Sequence, residues 1–230
     1  KKIASKQEWN YFSNLLPQFI KKNNKNEIIL DEADVIRPIF IMGLPRSGTT
    51  LVENIIGNGS MKLPMGGEIE SISKVFYSQN IIENYNSLNL KTNFGFKKDD
   101  YNELRKNIIN HYDQAKLIDN KKKNIFTDKS LENFLYIDII TKIFPNSKFV
   151  YCQRDPLANI LGIFDNFLPN LIWTHSIDMI FQYFDIYYKK LSEILKKNNL
   201  NFKIINLEEI SSEPKKTSKD LYDFLELEWS

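Results

Sequence analysis

Residues Pro38–Ile56 read PIFIMGLPRSGTTLVENII, and the succession of apolar, polar and periodic residues in this stretch decides the fold. Pro38, Ile39, Phe40, Ile41 and Met42 make an apolar run with β-branched members, the pattern of a buried strand. A polar loop bracketed by Gly43 and Gly48 follows, and then Leu51, Val52, Ile55 and Ile56 recur at helical spacing. In a strand–loop–helix unit of this kind the loop N–H groups turn inward, and the helix adds its unsatisfied amides and positive dipole end. Such a loop holds an anion, and these residues fit a phosphate.

The side chains narrow the choice of phosphate. Gly43 and Gly48 are spaced as in the P-loop of nucleotide triphosphatases, but Thr49 stands where that loop has the lysine that reaches the β and γ phosphates. Arg46 lies mid-loop instead, a permanently charged guanidinium that forks onto phosphate or sulfate oxygens. Ser47, Thr49 and Thr50 add hydroxyl donors around the same point.

Outward from the loop, strand and helix patterns alternate. Ile72, Val75 and Phe76 mark a helix starting near Glu68, and Leu104, Ile108, Ile109 and Tyr112 mark another from Asp99. Ile125–Thr127 reads as a strand, Leu131–Phe144 as one helix, Phe149–Cys152 as a strand, and Asp155-Pro156 as the opening of a helix through Phe164. A long amphipathic helix falls within Leu171–Asn198, a last strand covers Lys203–Leu207, and a short helix ends the chain. This alternation predicts an α/β fold: a three-layer, P-loop-type domain with a mostly parallel central sheet flanked by helices. Upstream, Ser5 and Glu8 cap an amphipathic helix bent at Pro17, so residues 1–30 are expected to be an N-terminal helix and linker and 31–230 the main domain. Residues 80–98 are expected to form a surface excursion or lid.

With 230 residues, 42% of them hydrophobic, the chain can bury one sizeable core. A net charge of +2 is too small to argue for nucleic acid or a membrane surface as the main partner, and neither is expected. No stretch approaches the roughly eighteen apolar residues of a membrane span. Cys152 is the sole cysteine, which excludes an intramolecular disulfide and suits a reducing, cytoplasmic compartment. On its strand, far in sequence from His111 and His175, it reads as a core residue; the two histidines read as ordinary helix residues. The start at Lys1 suggests a segment of a longer protein.

The loop PRSGTT, together with TDKSLENFLYIDII (Thr127–Ile140) and CQRDP (Cys152–Pro156), resembles the sulfotransferases that use 3′-phosphoadenosine 5′-phosphosulfate (PAPS). The likeness is greatest to the branch holding tyrosylprotein sulfotransferases and bacterial relatives often fused to tetratricopeptide repeats, and it covers Arg37 to Ser230. It implies transfer of the sulfuryl group of PAPS to a hydroxyl or amine acceptor on a peptide, saccharide or small molecule, without a metal, leaving PAP. A preceding helical-repeat region is a further implication. Arg46, Ser47, Gly48, Thr49 and Thr50 would hold the 5′-phosphosulfate. Gly67-Glu68 matches the pair that carries the catalytic carboxylate, with Glu70 as the fallback, and Lys129 matches the lysine at the bridging oxygen.

Arg154 matches the family's 3′-phosphate arginine, but the serine eight residues on is Gly162, with Asn159 as a substitute donor on the same helix. Leu207 replaces the tyrosine that approaches the adenosine, and the family's basic C-terminal loop is expected to be absent. Two alternatives stay open on the residues alone. One is a P-loop nucleotide kinase or triphosphatase, with Thr50 at the magnesium-ligand position. The other is a nucleotide-binding module that has lost catalysis.

Overall fold

The computed structural model describes residues 36–78, 98–118, 124–166, 168–196 and 201–229. Four strands, β1 (Ile36–Gly43), β2 (Asn124–Asp128), β3 (Lys148–Gln153) and β4 (Phe202–Asn206), lie parallel in the order β2-β1-β3-β4. Between them run α1 (Thr49–Gly57), α2 (Ser71–Ser78), α3 (Lys98–Gln114), α4 (Ile137–Ile143), α5 (Pro156–Phe164) and α6 (Ile177–Leu195). After β4 come α7 (Leu207–Ser212) and α8 (Pro214–Leu225).

Strand alternation divides the core in two. Phe40 and Met42 of β1, with Phe149 and Tyr151 of β3, face a cluster built with α2, α3, α4 and α6. Ile39, Ile41, Val150 and Cys152 face the opposite cluster, built with α1, α7 and α8. Both sheet faces are covered, which is why the strands read as continuous apolar runs. The result is a three-layer α/β fold. Among the described residues no helix is long and apolar enough to cross a membrane.

The expected elements appear with three differences. Leu131–Phe144 is not one α-helix: a 3-10 segment (Leu131–Tyr136) precedes α4. The buried Asp128 carboxylate accepts from the Ser130 N–H (3.0 Å) and the Asn133 side chain (2.9 Å), drawing this stretch into a tight start. A second 3-10 turn, Ile172–His175, precedes α6. Leu207, expected at the end of the last strand, instead begins α7, a helix that the sequence pattern did not announce. The expected N-terminal helix and the excursion across residues 80–97 lie outside the described residues.

In open parallel sheets ligands bind beyond the carboxyl ends of the strands, where the connections reverse direction. From β1 the chain moves outward to β2, then crosses back to β3 on the other side. The reversal falls at β1, and the Gly43–Gly48 loop rises from that point.

Candidate active site

The loop keeps its shape through backbone geometry. Arg46 has φ 68 and Gly48 φ 93, two left-handed residues close together, and the Ser47 N–H bonds back to the Leu44 carbonyl at 3.1 Å. A non-glycine residue held left-handed costs on the order of 1 kcal/mol and signals a conformation imposed by its surroundings. A Cβ on Gly43 would collide with the Ser47 hydroxyl and lie 2.8 Å from the Cys152 carbonyl, so the loop can fold over Gly43 only because that residue is glycine. Ser47 Oγ is buried without a hydrogen-bond partner among the described residues. The Arg46 and Thr50 side chains are exposed, whereas Thr49 is buried.

Beside the loop, the chain from Pro64 to Glu70 runs along β2 as an extra, irregular strand. Thr127 N–H donates to the Pro64 carbonyl (3.1 Å), Gly66 N–H to the Thr127 carbonyl (3.0 Å), and Lys129 N–H to the Gly67 carbonyl (2.9 Å). This zipper carries Glu68 to the end of β2, where Lys129 Nζ meets Glu68 Oε1 at 3.0 Å. The lysine side chain is 7% exposed and the carboxylate 56%, so a buried cation reaches out to an acid on the open surface. Glu70 pairs instead with Lys74 along α2, at 3.4 Å.

Asp128 anchors the same edge from below. Its Oδ1 accepts from Ser130 Oγ (2.6 Å) and its Oδ2 from the Tyr112 hydroxyl (2.7 Å), while the Glu70 N–H donates to Ser130 Oγ (2.8 Å). Burial and the adjacent Asp128 charge push the Tyr112 hydroxyl well above its ordinary pKa, so it remains a proton donor to Asp128.

Across β1, Arg154 leaves the end of β3 and donates from Nη1 to the Arg46 carbonyl at 3.0 Å. Asp155 caps α5 by accepting from the Ala158 N–H, with Pro156 in the first turn. Asn159 is buried and its amide group donates to the Pro45 carbonyl at 2.6 Å. A Cβ on Gly162 would lie 3.2 Å from Arg154 Nη1 and 3.5 Å from Arg46 Cβ, and a Cβ on Gly48 would lie 2.7 Å from Leu207 Cδ1. Arg46, Arg154 and Gly162 therefore converge on one side of the loop, with Leu207 packed on its exit.

Residues 38–230 match the model of the Sulfotransferase family. The chain belongs to that family. A curated relative, an uncharacterized protein from Aquifex aeolicus (strain VF5), is 28% identical over 208 residues, covering 84% of this chain and 26% of the relative. The chain thus spans about a quarter of the length of the curated relative it matches. Among solved structures, the sulfotransferase domain from the Synechococcus PCC 7002 olefin synthase aligns with TM-score 0.55 at 15% identity, covering 89% of this chain and 78% of that one. The sulfotransferase domain from the curacin biosynthetic pathway aligns with TM-score 0.52 at 19% identity, over 85% and 75%. Sulfotransferase STF1 from Mycobacterium tuberculosis aligns with TM-score 0.52 at 14% identity, over 95% and 73%. These likenesses show the fold.

Cys152 and both histidines stand apart from the loop chemistry. Burial raises the Cys152 thiol pKa far above its ordinary value, although the charge of Lys129 pulls the other way. His111 pairs with Ser71 (2.9 Å) and His175 with the Leu168 carbonyl (3.0 Å). Glu53, Thr127 and Asp128, which organise the β2 edge, were missed by the sequence reading. Glu53 left a trace: it occupies the inward stripe of α1 with Thr49, Val52 and Ile56, where a carboxylate is out of place.

Proposed function

We propose that this domain, residues 31–230, transfers the sulfuryl group of PAPS to a hydroxyl or amine acceptor by metal-independent, in-line displacement with Glu68 as base. The observation that carries the reading is the Glu68–Lys129 pair at the carboxyl edge of the sheet, beside an anion loop that has an arginine in place of the P-loop lysine. The loop also suits the donor. Gly43 lets the loop fold closely over the end of β1, and the buried Ser47 hydroxyl has no hydrogen-bond partner among the described residues, a donor that a phosphosulfate seated in the loop would satisfy.

When bound, PAPS supplies an activated sulfuryl group whose bond to the bridging phosphate oxygen breaks as its bond to the acceptor oxygen or nitrogen forms. In this reading the loop amides, Arg46, Ser47, Gly48, Thr49 and Thr50 hold the 5′-phosphosulfate. Glu68, exposed toward the acceptor side, takes the acceptor proton. Lys129, held beneath it, neutralises the negative charge that gathers on the departing phosphate oxygen. Arg154 reads the 3′-phosphate, with Gly162 and Leu207 lining the nucleotide and Asn159 fixing the loop at Pro45. A peptide, a saccharide and a small molecule all satisfy the acceptor chemistry.

The test is Glu68→Ala assayed with PAPS and an acceptor panel. Loss of a general base lowers turnover by about 10²–10⁴-fold, while PAP affinity, measured by calorimetry, stays unchanged. Full turnover by the variant would remove Glu68 from the role. Tight PAP binding without turnover by the wild-type chain would favour a lapsed binding module, the reading that Gly162 and Leu207 support. Preference for a magnesium triphosphate over PAP would favour a kinase or triphosphatase.

A further inference from the structure

We propose that Glu53 is a positioning residue for the transfer: its carboxylate ties the helix that grips the donor to the segment that carries the base. Glu53 is 6% exposed, one helical turn beyond Thr49 on α1. Its Oε1 accepts from the Gly67 N–H at 2.9 Å and from Thr127 Oγ1 at 2.8 Å, and Thr127 is itself fully buried. Gly67, left-handed at φ 56, turns its carbonyl to the Lys129 N–H, and the next residue is Glu68. One carboxylate oxygen thus joins three elements: α1, which follows directly on the anion loop; β2, which Lys129 directly follows; and the irregular strand that delivers Glu68.

Packing alone does not account for this choice. A carboxylate in an apolar stripe carries a desolvation cost that a leucine of similar size avoids, and buried ionic groups replaced by apolar ones often leave proteins more stable. What a leucine cannot do is accept both bonds. With them, the separation between the anion loop and Glu68 is set by a single rigid turn of helix, and misplacement of a reacting group by about 1 Å costs roughly 10²-fold in rate. Glu53 acts through Gly67 and Glu68, without touching donor or acceptor.

The kinetic arm of the test rests on the sulfuryl-transfer reading; the exchange arm does not. Glu53→Leu, Glu53→Gln and Thr127→Val would be prepared in the full chain and compared by amide hydrogen exchange and by turnover of PAPS. Glu53→Leu and Thr127→Val are expected to speed exchange at Gly67 and Lys129 and leave residues 44–48 as protected as in the wild type. Turnover should fall roughly 10- to 100-fold for Glu53→Leu, less for Thr127→Val, with PAP affinity within about twofold of wild type; Glu53→Gln, which keeps an acceptor oxygen, should recover most of the loss. Unchanged exchange at Gly67 in both Glu53→Leu and Thr127→Val would overturn the proposal, as would PAP affinity falling in step with turnover without rescue by Gln. Should the wild-type chain fail to consume PAPS, the transfer reading falls, and exchange alone still decides whether Glu53 holds the Gly67–Glu68 segment. Thr127→Val, nearly isosteric, keeps the test valid if Glu53→Leu does not fold.

Discussion

At the β2 end of the sheet edge, Lys129 is buried, its backbone is zipped to Gly67, and beneath it Asp128 accepts four hydrogen bonds and Glu53 two from the described residues. At the β3–β4 end, Arg154 is half-exposed, Gly162 offers no side chain, and Leu207 meets the loop through methyl groups. The first region is over-determined by polar contacts; among the described residues, the second holds its arginine by one bond to the Arg46 carbonyl. The difference matches the demands of the proposed reaction. Groups that meet charge developing in a transition state gain from being fixed beforehand, whereas groups that only hold the far end of a nucleotide can adjust as it binds. Gly162 and Leu207, the two positions at which the sequence departs from the motifs it resembles, both fall in the second region.

This contrast predicts a split between rate and affinity. Lys129→Met should give the largest effect, a loss of about 10²–10³-fold in turnover, with PAP affinity little changed and thermal stability near wild type, because its partner Glu68 is mostly exposed and solvated without it. Single-turnover kinetics with saturating PAPS would check it; equal losses in PAP affinity and rate would mean that the two ends are not separate. Arg154→Ala should do the reverse. A charge-assisted hydrogen bond is worth about 1.5–3 kcal/mol, so PAP affinity should fall roughly 10- to 100-fold, with turnover at saturating PAPS spared. A loss confined to turnover would reassign Arg154 to the chemistry.

A smaller effect tests how completely the β1–β3 junction is sealed. Because burial raises the Cys152 thiol pKa and hides the sulfur, alkylation by iodoacetamide at pH 8 should proceed only through unfolding, tracking the response to denaturant. Rapid modification of the folded chain would show that the floor of the loop opens.

How much of this was legible in the sequence follows the same division. The β1 strand, the loop and α1 were readable because each is local: apolar run, glycine brackets and helical period are written in consecutive residues. Lys129 and Arg154 were readable as strand-end residues because a parallel sheet places such ends on one edge. The bonds from Glu53 to Gly67 and Thr127 join residues 14 and 74 positions apart, and no local period encodes that pairing. The 3-10 segment after β2 escaped for a related reason. Its apolar spacing suits a helix, but the Asp128 side chain competes for the backbone of its first turn. α7 was missed because LEEISS is short, and it forms where the chain turns out of the sheet toward α8.

Gly162 allows the finest cut between the two regions. It lies within α5, where a glycine costs about 0.5–1 kcal/mol relative to a residue with a side chain. A serine there would place its Cβ beside Arg154 Nη1 and the Arg46 side chain, and the 3.2 Å approach falls on the guanidinium end of a flexible arginine, held by a single bond to the Arg46 carbonyl among the described residues, which can shift by a few tenths of an ångström. Gly162→Ser should therefore raise thermal stability slightly through the helix and tighten PAP by about fivefold, one hydrogen bond being worth about 1 kcal/mol. Turnover at saturating PAPS should not change. Calorimetry with PAP separates the causes: a gain in stability without a gain in affinity would mean that the hydroxyl does not reach the ligand and that Arg154 points elsewhere when the nucleotide is bound. Tighter binding of both PAP and adenosine 5′-phosphate, which lacks the 3′-phosphate, would place the new contact on the nucleotide but away from that group. Only a gain confined to PAP fits a 3′-phosphate held between Arg154 and the start of the loop.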